Sequence, residues 1–178
     1  MLAPKFWPSW ALVITAYLIA RLPLTWILAL GRGLGHLAYH FARSRRHIAE
    51  INIKLCFPEL DDCDRAQLVK DNLLHTGMGL AEATIPWLNP KRNLHKHISV
   101  VGLEHLQAAR ATGKGVLLLG GHYTCIDITC QPLGAADIDV MYRANKNLVW
   151  EWLQVRGRSH FFDHVIERSD MRQTLALL

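Results

Sequence analysis

Gly115-Val-Leu-Leu-Leu-Gly-Gly-His-Tyr-Thr-Cys-Ile-Asp-Ile-Thr129 sets an apolar run, a glycine pair, a histidine and a carboxylate in one short stretch. Val116 to Leu119 has the length and continuous apolar character of a buried parallel strand. Gly120 and Gly121 end that run and allow a sharp turn. Thr124 and the apolar residues after it mark the start of a helix. The expectation is therefore His122 at the carboxyl end of a buried strand and Asp127 in the first turn of the next helix. Open α/β sheets bind ligands just outside that end of their strands.

Four residues separate His122 from Asp127. On one continuous helix, positions five apart point about 140° away from each other. A histidine in the loop before the helix can instead fold back over the first turn and meet the acid. A carboxylate on one ring nitrogen fixes the tautomer and stabilises the imidazolium, and the other nitrogen can take a proton from a substrate hydroxyl. The stretch holds no serine, and Cys125 is expected to point along the helix. The nucleophile is then the substrate's own hydroxyl, with direct transfer and no covalent enzyme intermediate. A plainer alternative fits the same residues. Thr124-Cys-Ile-Asp127 has the spacing of a capping box, in which Asp127 only closes the helix N-terminus and His122 is a half-buried loop residue.

Upstream, Trp10 to Leu30 contains one charge, Arg21, and one proline, Pro23. That is about the length of a helix that crosses a bilayer. Trp7, Trp10 and Trp26 suit the interface, and the basic group Arg43, Arg45, Arg46 and His47 marks a cytoplasmic flank. Residues 1–30 are read as a membrane anchor and 31–178 as a separate, partial catalytic domain. Arg21-Leu-Pro23 leaves open two shorter apolar helices, and a buried soluble hairpin is a further alternative. Gly31, Gly33 and Gly35 follow no strand and are read as close helix packing. Helices are expected over Arg45 to Leu55, from Asp61-Asp-Cys-Asp64 with Leu68, Val69, Leu73, Leu74 and Met78 on the core face, and over Leu103 to Ala111. Pro86 ends or kinks the second of these. Ile98 to Val101, Asp139 to Tyr142 and Phe161 to Ile166 read as strands. Asn147 to Arg156 and Asp170 to Leu178 read as helices.

With 178 residues the chain can bury one sizeable core. A net charge of +5 and a pI near 9.2 permit an anionic partner. The basic residues are scattered and not interleaved with stacking aromatics, which disfavours nucleic acid and favours a membrane surface. Cys56, Cys63, Cys125 and Cys130 form no CxxC pair and read as reduced, mostly buried thiols. His36 and His40 could share a helix face, and His95 and His97 flank one lysine. Neither pair comes with the three or four ligands a zinc site needs, so no metal is expected.

His-x-x-x-x-Asp after a short apolar run resembles the signature of the glycerolipid and lipid A acyltransferase superfamily. Val140-Met-Tyr-Arg-Ala-Asn-Lys-Asn147 and Trp152-Leu-Gln-Val-Arg-Gly-Arg158 are similar to the late acyltransferases of lipid A biosynthesis, the lauroyl/myristoyl transferase family. Leu55-Cys-Phe-Pro-Glu59, Gly77-Met-Gly-Leu80 and Val101-Gly-Leu-Glu104 fit the same family. The acid of that family is often Glu, so Asp127 is a shorter arm. The resemblance implies an α/β fold with an amino-terminal membrane helix or hairpin, a helical segment, and a mostly parallel sheet flanked by helices. It implies a phosphorylated disaccharide lipid as acceptor and acyl carrier protein as donor, with no cofactor. It places the protein at the bacterial inner membrane, with the catalytic domain facing the cytoplasm. His122 is then the general base and Asp127 its orienting partner. Arg143, Asn145, Arg156 and Arg158 follow strand ends and are the candidates for substrate binding, because guanidinium forks match phosphates. Arg158 could alternatively steady the oxyanion formed on attack.

Two rivals stay open. One is a glycerolipid acyltransferase using the same pair on a lysophospholipid. The other is a non-catalytic, membrane-bound lipid-binding protein. Residues Met171 to Leu178 form a helix with no stop signal. The sheet at that point would have an open edge. The 178 residues alone are therefore expected to be an incomplete enzyme with little transfer activity.

Overall fold

Pro23 has no N–H to give to a helix, and the first apolar stretch breaks there. In the computed structural model, which describes residues 3–94, 96–134 and 136–177, that stretch is two helices, α1 (Trp7–Ile19) and α2 (Leu24–Phe41). The break leaves backbone carbonyls without helical partners. Asn89 Nδ2 donates to Ala20 O at 3.1 Å, and Arg92 Nη1 donates to Leu22 O at 2.6 Å and to Ala20 O at 3.3 Å. The bend is thus fixed by side chains from elsewhere in the fold. A single transmembrane helix over Trp10 to Leu30 is not what forms, and no helix among the described residues is long and apolar enough to cross a membrane. His95 and Leu178, which enter the readings above, lie outside the described residues.

Helix α3 (Arg43–Cys56) stops before Phe57-Pro58, and α4 (Asp62–Glu82) follows. Asp61 caps α4 by accepting from Asp64 N at 2.8 Å, with Asp62 and Asp64 at its positive end. Val69, Leu73 and Leu74 are buried and Leu68 and Met78 half-buried, on the face that the heptad-like spacing marks. Helix α4 packs along α2 through glycine. A Cβ on Gly31 would stand 2.6 Å from Met78 Cα, and one on Gly35 would stand 2.6 Å from Leu74 Cα. Gly33 has nothing within 4 Å of that position, so two of the three glycines carry the contact.

After α4 come α5 (Thr84–Leu88), which contains Pro86, and α6 (Leu103–Arg110). A 3-10 turn spans Ile126–Thr129 and runs into α7 (Cys130–Gly134). Then β1 (Val140–Tyr142), α8 (Leu148–Arg158) and β2 (Val165–Glu167) form one β-α-β unit, and α9 (Met171–Leu177) follows. The two strands are parallel, with Val140, Met141 and Tyr142 opposite Val165, Ile166 and Glu167. The fold is α/β and mostly helical, with a small two-stranded sheet.

Two expected strands are not formed. Ile98 to Val101 and Val116 to Leu119 are irregular. Leu117 is 81% exposed and Leu119 93%. A strand exists only where a neighbour takes its backbone hydrogen bonds. Strands β1 and β2 pair with each other, and neither apolar run lies in their ladder, so water keeps those backbone groups. The thiols also depart from expectation: Cys56, Cys63 and Cys125 are exposed and Cys130 alone of the four is buried.

Among the described residues two apolar clusters hold the molecule together. Ile27, Ala81, Ile85 and Leu94 form one, backed by Ile19, Leu22, Leu24, Ile98 and Ile128. Val13, Val149 and Leu153 form the other, backed by Phe6, Trp10, Trp87, Leu88 and Trp150. Each fully buried aliphatic side chain contributes about 1.5–3 kcal/mol. Val13 and Ile27 place α1 and α2 in these cores. Asn147 caps α8 by accepting from Val149 N at 3.0 Å and donates through Nδ2 to Ser9 Oγ at 2.9 Å, which ties α8 to α1.

Candidate functional site

The carboxylate of Asp127 is where three elements meet. It lies in the 3-10 turn, beneath α5 and the last turn of α8. Its Oδ1 accepts from Trp87 Nε1 at 3.3 Å and from Arg158 Nη2 at 3.2 Å. Asp127 and Arg158 side chains are each 21% exposed, so their ion pair is partly shielded from water without being dry. The capping alternative is not realised. The turn starts after Cys125, which makes no side-chain cap bond, and Asp127 gives its oxygen to side chains from α5 and α8.

His122 sits in the irregular segment before the turn and is exposed. Among the described residues no hydrogen bond or ion pair joins it to Asp127. The expected strand would have delivered the ring to the acid, and without that strand the ring is left in solvent. Of the other four candidates, only Arg158 reaches Asp127. Arg156 lies over the Trp152 ring, 5.5 Å from its centroid. Arg143 is exposed just beyond β1. Asn145 N donates to Glu151 Oε2 at 2.6 Å, and Asn145 Oδ1 accepts from Asn147 N at 2.9 Å. Arg156 and Arg158 both occupy the last turn of α8, where its dipole favours cations.

Glu151 is a residue that sequence reasoning missed. It accepts from Tyr142 Oη at 2.7 Å as well as from Asn145 N, and so fixes the loop after β1 to α8. Burial, and then the bond to Glu151, pushes the Tyr142 hydroxyl up to about 12. Its only sequence signal is a lone acid in the first turn of a helix. Trp87 was also missed, because an aromatic beside Pro86 reads as packing alone. Cys130 lies against the same site. Burial, reinforced by Asp127, pushes its thiol up to about 11, so at neutral pH it is not a thiolate nucleophile. Among the described residues no three His, Cys, Asp or Glu side chains group closely enough to hold a metal ion. His36 and His40 do share a face of α2, with ring centroids 4.7 Å apart.

Asp127 is thus anchored between α5 and the arginine-bearing end of α8, and His122 lies exposed in the irregular segment before the turn. A family described as bacterial lipid A biosynthesis acyltransferase matches residues 1–178. The lipid A biosynthesis lauroyltransferase of Escherichia coli K12 is 32% identical over the whole chain, which covers 58% of that protein. The palmitoleoyltransferase of the same strain is 30% identical over 99% of the chain and 58% of its own length. A lipid A biosynthesis acyltransferase of Haemophilus influenzae is 29% identical over 99% of the chain and 57% of its own length. The chain thus spans under three-fifths of the length of these curated relatives. No solved structure matches it.

Proposed function

The chain belongs to the bacterial lipid A biosynthesis acyltransferase family, and on that premise we propose that it transfers a fatty acyl group to a hydroxyl of a phosphorylated lipid A precursor. The donor in this reading is an acyl thioester on acyl carrier protein. The observation that carries it is the family match over residues 1–178.

His122 takes the proton of the acceptor hydroxyl, and the oxygen attacks the thioester carbonyl. The tetrahedral oxyanion collapses, expels the pantetheine thiolate and leaves the ester. His122 returns the proton to that thiolate. Asp127 orients the ring and stabilises the imidazolium. Catalytic hydrogen bonds in substrate-free proteins are often long and close only with substrate bound. The His122 loop is therefore required to fold over the 3-10 turn when the acceptor arrives. Arg143, Asn145, Arg156 and Arg158 are the residues proposed to receive phosphates.

The acceptor is a lipid, and the surface supports its delivery from a membrane. Trp26, Leu30, Leu34, Leu37 and Phe41 are exposed along α2, and Arg43, Arg45 and Arg46 follow them. An apolar face bordered by basic residues suits the anionic cytoplasmic surface of a bacterial inner membrane. The protein is proposed to lie against that surface.

The missing His122–Asp127 contact favours a second reading, a non-catalytic lipid-binding protein. One assay separates the two. Acyl carrier protein charged with a fatty acid and a tetraacyl lipid A precursor are mixed with the protein in detergent. The first reading predicts one added acyl group by mass spectrometry, lost in His122→Ala. The second predicts binding of the precursor with no mass gain.

A further inference from the structure

We propose that Trp87 is a positioning residue whose indole N–H holds the Asp127 carboxylate in place for His122; this rests on the general-base reading above. Trp87 Nε1 donates to Asp127 Oδ1 at 3.3 Å, the same oxygen that Arg158 Nη2 reaches at 3.2 Å. Both recorded donors therefore fall on one oxygen. Oδ2 accepts no hydrogen bond among the described residues, and it is the oxygen left for a histidine ring.

The two donors differ in kind. Arg158 is a long, partly exposed side chain with a charge that any anion can compete for. The indole N–H donates only and does not titrate in the working range. Its ring is set by packing on several sides. Trp87 backs the Val13, Val149 and Leu153 cluster. A Cβ on Gly157 would stand 2.7 Å from Trp87 Cα and 3.1 Å from its Cδ1, so the absence of a side chain there is what lets α8 and α5 close on the ring. The indole is therefore a rigid arm from the core to the acid. If packing were its only role, any aromatic ring of similar size would serve.

The test uses Trp87→Phe, which keeps a ring and removes the N–H. Positioning errors of about 1 Å can cost on the order of a hundredfold in rate. Trp87→Phe is expected to lower kcat at least tenfold, with KM within twofold and melting temperature little changed. Unchanged kcat in a protein where His122→Ala is inactive would overturn the proposal. A second measurement needs no activity. The chain has six tryptophans, so indole N–H resonances of the protein in detergent micelles are few. The resonance that disappears in Trp87→Phe is assigned to Trp87. It is expected to shift more than the other five in Asp127→Ala. If it stays in place, the Trp87–Asp127 bond does not exist and the proposal fails. If instead the resonance shifts and His122→Ala retains full transfer, Trp87 still holds Asp127 and it is the general-base reading that fails.

Discussion

Asp127 takes two donors on one oxygen and caps no helix, so its substitution should separate chemistry from folding. A partly exposed ion pair contributes up to about 1 kcal/mol. Asp127→Asn keeps one acceptor oxygen for Trp87, loses the charge and replaces the second oxygen by an N–H donor. It is expected to move the melting temperature by no more than a few degrees and to lower acyl transfer by about a hundredfold or more. A lower melting temperature with an intact rate would make Asp127 a structural residue. Cys130, beside it, carries a pH prediction. Burial first and Asp127 second raise its thiol from 9.0 to about 11 in the folded state. A raised folded value means that the folded state holds the proton longer than the unfolded chain does. Its stabilising contribution is present below pH 9 and is lost as pH rises through about 11. Two units correspond to about 2–3 kcal/mol. Urea unfolding at pH 8 and pH 11 should therefore show a steeper loss in the parent than in Cys130→Ala. Tyr142, also raised, acts in both proteins and drops out of the difference. Equal losses would mean that the thiol is more hydrated than its position indicates.

Helices α2 and α4 touch backbone to backbone at Gly31 and Gly35. Overpacking such a contact costs roughly 1–3 kcal/mol or more. Gly35→Val is expected to lower the melting temperature by several degrees, at about 2–4 °C per kcal/mol for a chain of this size. Gly33→Ala meets no neighbour and removes a flexible residue from a helix interior, worth up to about 1 kcal/mol, so it should stabilise. Opposite shifts in two thermal melts would confirm the contact, and equal shifts would deny it. The glycine pattern was legible because helical periodicity carries a face with it. So was α4, whose cap at Asp61 and core positions at Val69, Leu73 and Leu74 follow from local spacing. Strand β1 falls within its expected segment, whereas β2 (Val165–Glu167) overlaps the expected Phe161 to Ile166 only at Val165 and Ile166, and α8 (Leu148–Arg158) runs through Gly157 past the expected end at Arg156. Val116 to Leu119 shows where such legibility stops. A short apolar run states that it could be a strand but not which neighbour pairs with it. Trp10 to Leu30 fails differently. Its hydropathy reads as one span, while Pro23 and the carbonyl clamps from Asn89 and Arg92 make it two helices. The clamps come from about seventy residues away, beyond the reach of any local reading. The site follows the same division. The motif residues could be named from spacing, whereas Trp87 became visible only when α5 was packed against α8.

The whole molecule exposes apolar side chains along α2 and carries a net charge of +5. Since α1 and α2 also supply Val13 and Ile27 to the cores, deleting them would test folding as much as membrane binding. Point changes on the surface are cleaner. Arg43, Arg45 and Arg46, all replaced by Glu, should weaken binding to anionic vesicles, read by flotation, by on the order of a hundredfold or more. Each basic residue near such a surface contributes about 1 kcal/mol. Vesicles of neutral lipid should discriminate little between parent and variant, and equal flotation with anionic lipid would remove the basic cluster from the interface. The proposed membrane surface, acceptor and acid–base pair meet in one reaction, and one measurement on a protein that contains these 178 residues tests them together. That measurement is the rate of acyl transfer from acyl carrier protein to a tetraacyl lipid A precursor, in parent and His122→Ala proteins of equal melting temperature and equal vesicle binding. A single acyl addition in the parent, slowed by about a hundredfold or more in His122→Ala, is the predicted result. Transfer by His122→Ala within threefold of the parent would contradict it.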